Sequence, residues 1–356
     1  MGIMNKSLYE VLDKSQGMAV RVLDRLPEFA QQRLAKALNY PYHYPKLDPL
    51  MKCVMAFQLK QGRIGFIHQD YQQSREQFEA NVLALKSKDT FIEQVEDLRL
   101  PLFSGTVFAR HYHPKPNKKL PMLVYFHGGG FVVGSMDTHD EACRLIAKHA
   151  KVQVLSLNYP LAPEVSPQQM VQSCEDALAW VFQNRRNLKI LKDRIAVGGD
   201  SAGGNLATVV AQRCRKKVYA PSAQFLIYPV LDFKSRHPSF FAYKNGLVLT
   251  EQDVDVVESL YLKHHQIDQS DPLVSPTFGP LDGLAPAYII TAGHDILKDE
   301  GEIYSHKLRH SGVTVAYQEY TDQTHGFINL TAISSRSKKY LIEMSKHFRK
   351  FWDEQR

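Results

Sequence analysis

Gly199-Asp200-Ser201-Ala202-Gly203 follows directly on the apolar run Ile195 to Val197, and no other juncture constrains the fold of this chain as much. The run reads as a strand and the residues after Ser201 as a helix, so the serine must occupy the turn between them. A turn that sharp holds its central residue in a strained backbone, and only glycines two positions either side leave room for it. The hydroxyl is then lifted clear of the sheet, placed to attack a carbonyl carbon. A pattern this short also arises by chance, so it needs partners.

The first partner lies upstream, where the apolar stretch Pro121 to Phe126 ends in His127-Gly128-Gly129-Gly130-Phe131. Successive glycines after a strand let backbone N–H groups turn inward. Two of them, with the N–H of Ala202, would hold the oxyanion of a tetrahedral intermediate. A phosphate-cradling loop is the competing reading, but no Gly-Lys-Ser/Thr follows and the Gly-x-Gly-x-x-Gly spacing is absent.

A serine hydroxyl is a weak nucleophile and requires a general base, which in turn requires an acid to fix its tautomer. Ala287 to Thr291 reads as a buried strand with Ala292-Gly293-His294-Asp295 as the loop beyond it. Such loops at the carboxyl end of an open sheet are where functional groups collect, and Asp295 is the expected acid. Val313 to Tyr320 reads as the next strand, and His325 in Thr324-His325-Gly326-Phe327 is the expected base. The chain order Ser201, Asp295, His325 is that of α/β-hydrolases and differs from the chymotrypsin and subtilisin orders.

Other residues compete for these roles among the 15 histidines and 37 acids. His127 reads as a residue that orders the glycine loop by local hydrogen bonding, and His294 as structural. Asp299-Glu300 looks like a helix N-terminus satisfying orphan N–H groups. Asp322, close to His325, suits a local turn. Asp200 is expected to bond nearby backbone rather than enter the chemistry.

At 356 residues, with 44% apolar and 23% charged residues, the chain suits one soluble catalytic domain with a lid. No stretch approaches the roughly 18 apolar residues of a membrane helix. Met1 to Val20 lacks the apolar core of a secretion signal, and Lys6 stands where a myristoylation motif after Gly2 needs Ser or Thr. A cytoplasmic location with no stable membrane anchor is expected, which makes the Asn329-Leu330-Thr331 sequon coincidental. Cys53, Cys143, Cys174 and Cys214 show no metal-binding or redox spacing, so free thiols and no metal are expected. The net charge of +7 raises the question of an anionic partner. Its densest cluster, Arg213, Arg215, Lys216 and Lys217, falls where cations complement a helix C-terminus. No aromatic-interleaved basic patch points to nucleic acid.

Along the chain, residues 1 to about 90 carry helical spacing, as in Val20, Leu23 and Leu26, then Phe29, Leu34 and Leu38. From Val95 the texture becomes strands, at 95–102, 107–112, 123–126 and 152–157, with helices at 140–151 and 168–187, then the strand before Ser201 and another at 223–229. Alternation of this kind implies a mostly parallel central sheet with helices on both faces. The segment from Asp232 to Asp271, with Phe240, Phe241 and Tyr243 and an amphipathic stretch from Glu251 to Leu262, reads as lid. The expected division is a helical cap region at 1–94, core at 95–231, a cap insertion at 232–275 and further core at 276–356.

His127 to Phe131, Tyr159 with Leu161-Ala162-Pro163-Glu164, Gly199 to Gly203, Asp295 with Asp299-Glu300-Gly301, and His325-Gly326-Phe327 together resemble the bacterial hormone-sensitive-lipase family of esterases, over about residues 95–356. The resemblance implies an α/β-hydrolase fold with a helical cap, a Ser201–Asp295–His325 triad, and an oxyanion hole from Gly129, Gly130 and Ala202, with Gly128 an alternative. It implies hydrolysis of short or medium acyl esters without a cofactor, by a monomer or homodimer acting on a small-molecule ester. Pro160 stands where the family usually has Arg and Ile296 where Pro is common, and the segment ahead of His127 is longer than usual. Amide or acetyl-group hydrolysis on the same fold is the nearest alternative. A non-catalytic small-molecule receptor, like the plant gibberellin receptors that resemble this family without its catalytic histidine, is disfavoured by His325.

Overall fold

In the computed structural model, which describes residues 17–355 apart from 61, 63, 64 and 87, the core is an eight-stranded sheet of order β1-β2-β4-β3-β5-β6-β7-β8. The strands are β1 (Gln94–Leu102), β2 (Gly105–His113), β3 (Leu120–Phe126), β4 (Gln153–Asn158), β5 (Ile190–Asp200), β6 (Gln224–Ile227), β7 (Ala287–His294) and β8 (Val315–Thr324). Only β2 runs antiparallel to its neighbours, β1 and β4; every pair from β4 through β8 is parallel. The mostly parallel sheet expected from the alternating pattern is therefore present, in the α/β-hydrolase fold that the resemblance implies.

Strand periodicity decides which helices cover which face. Met122, Val124 and Phe126 of β3 join one cluster with helices α5 (Pro167–Gln183), α6 (Ala202–Cys214) and α9 (Lys298–His310). Leu123 and Tyr125, pointing the other way, join α4 (Asp140–Ala150) and α10 (Ser335–Glu354). Side chains from both clusters are almost wholly buried, so the apolar runs read in the sequence are those of strands covered on both faces. Local signals set the helix ends. Ser166 and Gln169 form a reciprocal capping box ahead of Pro167, and Lys151 closes α4 in a left-handed conformation.

The N-terminal region is helical where it is described: residues 17–24, then α1 (Glu28–Ala37), α2 (Pro49–Lys60) and α3 (Tyr71–Leu85). The first sixteen residues of the helical expectation lie outside the described residues. Between β6 and β7, α7 (Pro238–Tyr243) and α8 (Glu251–Val257) form the rest of a roof over the carboxyl ends of the strands. The amphipathic stretch 251–262 is not one uniform helix: its last five residues, Glu258–Leu262, form a π-turn.

The two parts of the roof are clasped by Asp253 of α8. Its buried carboxylate accepts from the N–H groups of Phe66 and Ile67 at 2.7 and 3.2 Å and from the Thr250 hydroxyl at 2.6 Å. Asp299 and Glu300 stand in the first turn of α9, as expected, but their carboxylates accept from N–H groups outside that helix. Asp299 accepts from the Ser239 N–H at 2.8 Å, in the first turn of α7, and Glu300 from the Leu231 N–H at 2.9 Å. Both acids tie the roof and its approach to the core. Asp322 is not in a turn but near the end of β8, bonded to Arg336 at 2.9 Å and Tyr340 at 3.1 Å on α10.

Candidate active site

Ser201 follows the last residue of β5 and is the N-cap of α6, with φ +54° and ψ −120°. A non-glycine residue held there costs on the order of 1–3 kcal/mol. Three backbone bonds impose it: the Ser201 N–H donates to the Ile227 carbonyl at 2.9 Å, and its carbonyl accepts from Asn205 and Val230 at 3.1 and 3.2 Å. A methyl group on Gly203 would run into the carbonyls of Phe126 and His127, which is why the turn tolerates no side chain there.

The other two residues come from neighbouring strand ends. His294, the last residue of β7, pairs with Thr324, the last of β8, so Asp295 and His325 leave the sheet side by side. Both strands run further than the sequence reading placed them, and neither residue stands off in a long loop. β8 lies three places from β5, about 14 Å away at normal strand spacing. The chain turns back at Gly326, where φ is +71°, and brings the imidazole over Tyr228, with ring centroids 4.6 Å apart. The His325 Nε2 then lies 2.8 Å from Ser201 Oγ and its Nδ1 2.7 Å from Asp295 Oδ2. The second Asp295 oxygen accepts from the Leu297 N–H at 2.9 Å.

All three groups are nearly shielded from water, at 7, 1 and 5% exposure for Ser201, Asp295 and His325. A carboxylate only accepts, so Nδ1 carries the hydrogen and Nε2 of the neutral ring offers its lone pair to the serine O–H. The expected Ser201, Asp295 and His325 are thus brought together in one hydrogen-bonded line.

The glycine run lies beside them and is held from beneath. Asp200 Oδ1 accepts from the Gly128 N–H at 3.0 Å and from the Tyr125 hydroxyl at 2.7 Å, while its other oxygen faces His139 Nε2 at 3.4 Å. Burial of Asp200 opposes its charge, yet His139 and the Tyr125 hydroxyl outweigh burial and hold its carboxyl below the usual range. His127 is fully buried, stacked 4.3 Å from Tyr159, and donates from Nδ1 to the Gly128 carbonyl at 2.8 Å. Burial, with His139 beside it, pushes its pKa down to about 3, so the ring is neutral. Local ordering by His127 and backbone bonding by Asp200 were both legible in the sequence.

Because the Gly128 N–H is engaged by Asp200, the alternatives narrow. Among the described residues no bonded acceptor is found for the N–H groups of Gly129, Gly130 or Ala202. Gly129 has φ +122°, a conformation a side chain would not allow. From above, Arg75 of α3 donates to the carbonyls of Val132 and Ala162 at 2.7 and 2.8 Å and grips Glu164 with both arms at 2.7 Å. Arg75, His139 and Asp253 were not anticipated. Arg75 and His139 act across long sequence separations with no local motif to mark them; Asp253 belongs to a local capping box with Thr250, which does not announce its bonds to Phe66 and Ile67.

Ser201 opens onto two cavities. One, of about 660 Å³, is lined by Gly129, His325, Asn329 and apolar residues of the N-terminal helices, among them Leu23, Leu34, Phe78 and Val82. The other, of about 50 Å³, is lined by Gly130, Phe131, Phe240, Leu249, Ile296 and Leu297. Ile296, a departure from the family pattern, is therefore part of a pocket wall. His294, read as structural, packs edge-on to Tyr44 and Tyr243, and burial lowers its pKa to about 4.

A mostly parallel sheet with a serine at a strand-to-helix turn and a histidine beyond the last strand is the arrangement of α/β-hydrolases. The family model described as alpha/beta hydrolase fold matches residues 123–329, and the chain belongs to that family, in the hormone-sensitive-lipase-like group its motifs resemble. The carboxylic ester hydrolase LipN of Mycobacterium tuberculosis is 37% identical over 328 residues, covering 90% of this chain and 87% of that protein. The ethyl acetate hydrolase of Pseudomonas putida is 34% identical over 279 residues, covering 76% and 87%. Among solved structures, a hyperthermophilic esterase from Pyrobaculum calidifontis is 37% identical, with a TM-score of 0.75 over 79% of this chain and 93% of that one. The ester hydrolase EH1AB1 from the Lake Arreo metagenome, complexed with a bipyridine phosphonate derivative, is 31% identical, with a TM-score of 0.79 over 86% and 99%. Among the described residues no helix is long and apolar enough to cross a membrane.

Proposed function

We propose that the protein is a serine carboxylesterase acting on short- to medium-chain acyl esters through an acyl-enzyme. The observation that carries the reading is the unbroken line from Ser201 Oγ through the imidazole of His325 to Asp295, at 2.8 and 2.7 Å. In the first step Ser201 Oγ bonds to the ester carbon while its proton passes to His325 Nε2, and Asp295 steadies the imidazolium. The carbonyl oxygen becomes an oxyanion, taken up by the N–H groups of Gly129, Gly130 and Ala202. The carbon–alkoxy bond then breaks, and the alcohol leaves with the proton from Nε2. Water replaces it, gives a proton to the same nitrogen, and its oxygen bonds to the acyl carbon. Collapse releases the carboxylic acid and returns the proton to Ser201.

The names of the relatives, esterases and ester hydrolases across bacteria and archaea, support the same reaction class. The reaction as written needs no metal or cofactor, and we place it in the cytoplasm, on a small-molecule ester, in a monomer or homodimer without nucleic acid. Replacing Ser201 by Ala tests the reading. Hydrolysis of p-nitrophenyl acetate should fall by at least about 10⁴-fold and labelling by a serine-directed phosphonate should disappear, with the fold intact. Retained burst kinetics in that variant would assign the nucleophile elsewhere.

A further inference from the structure

We infer that the preferred substrate is an ester of a short acid with a long or bulky apolar alcohol, an assignment that rests on the acyl-enzyme reading above. Two cavities of unequal size meet at Ser201, about 660 Å³ and about 50 Å³. The chemistry decides which half of the ester enters which. In the tetrahedral intermediate the carbon carries Ser201 Oγ, the oxyanion, the acyl chain and the alkoxy oxygen. The alkoxy bond breaks as that oxygen receives the proton from His325 Nε2, so the alcohol lies on the imidazole side and the acyl chain points away from it.

His325 lines the large cavity, together with Gly129; Gly130 and Phe131 line the small one, which His325 does not line. The alcohol therefore occupies the large cavity and the acyl chain the small. A water-sized group needs about 10–15 Å³ of such space. The small cavity thus holds about three to five water-sized groups, room for a short acyl chain only, and Phe240, Leu249, Ile296 and Leu297 are buried residues of its wall. The large cavity accommodates a chain well beyond that length against the apolar faces of α1, α2 and α3.

Octyl acetate and ethyl octanoate have the same formula and differ only in which side of the ester carries the chain. With wild-type protein in a pH-stat, kcat/KM for octyl acetate should exceed that for ethyl octanoate at least tenfold, each methylene that finds an apolar wall adding up to about fourfold. Equal values, or the reverse order, overturn the inference while leaving the esterase reading standing. Failure to hydrolyse p-nitrophenyl acetate and both isomers defeats the esterase reading and the inference with it. Val82→Trp, which fills the large cavity, should slow octyl acetate about tenfold relative to ethyl acetate. Leu249→Ala, which widens the small one, should raise ethyl octanoate relative to ethyl acetate. The opposite pairing of variants and substrates overturns the assignment, with ethyl acetate turnover reporting that each variant is folded.

Discussion

Asp200 holds Gly128 by a hydrogen bond of 3.0 Å between its carboxylate and the glycine N–H, so the residue next to Ser201 also fixes the loop that faces it. The position that the serine motif leaves unspecified thus fixes the loop that carries the N–H groups of Gly129 and Gly130 beside Ser201. Asp200→Ala should therefore lower kcat about 100-fold with little change in KM, since a small displacement of oxyanion donors costs that much. Asp200→Asn, which keeps an acceptor for Gly128, should recover part of the loss. Steady-state kinetics on p-nitrophenyl acetate decide it: a larger effect on KM than on kcat in both variants argues against a role in positioning the loop.

Arg75 grips the same loop from the roof, and its planar fork meets Glu164 and two carbonyls at once. Arg75→Met leaves those groups without the guanidinium and should lower kcat/KM about tenfold and the melting temperature by a few degrees. An ammonium cannot reproduce the fork, so Arg75→Lys should not restore either value. Wild-type kinetics in the lysine variant would mean that charge alone suffices.

Acid should destabilise the protein well before its carboxylates are neutralised. Burial holds the folded-state pKa of His127 at about 3 and of His294 at about 4, against about 6.5 in an unfolded chain. Between those values the unfolded chain binds protons that the folded one refuses, so the stability is intact above about pH 6.5 and drains as the pH falls below it. At pH 5 His127 alone accounts for a loss on the order of 2 kcal/mol. Melting curves from pH 8 to 5 should show the decline, and His127→Gln should flatten part of it. A melting temperature independent of pH over that range in wild-type protein contradicts the buried neutral imidazole.

The grouping of Ser201, Asp295 and His325 was legible because each sits where an apolar run stops, and the runs of β5 and β7 carry that signal strongly. The strand ends were less legible. β8 continues through Thr321, Asp322 and Gln323 to Thr324, polar residues without an apolar alternation, of which Asp322 is received by Arg336 and Tyr340 on α10. A pattern of that kind is invisible until the helix opposite is known. The same holds for Arg75 and for the bonds from Asp253 to Phe66 and Ile67, whose partners lie 57 and more residues away. The glycine loop is intermediate: its composition announced free backbone N–H groups, but that the Gly128 N–H is taken by Asp200 was not readable from it.

The clasp that Asp253 makes on Phe66 and Ile67, together with the grip of Arg75, means that the helices ahead of β1 are not a detachable accessory. An engineer paring this scaffold down to its sheet would retain Ser201, Asp295 and His325 and discard one of the two hands that steady the glycine loop. Reshaping selectivity by swapping whole helical segments will therefore disturb turnover as well. Single-residue changes on the inward faces of those helices are the safer route.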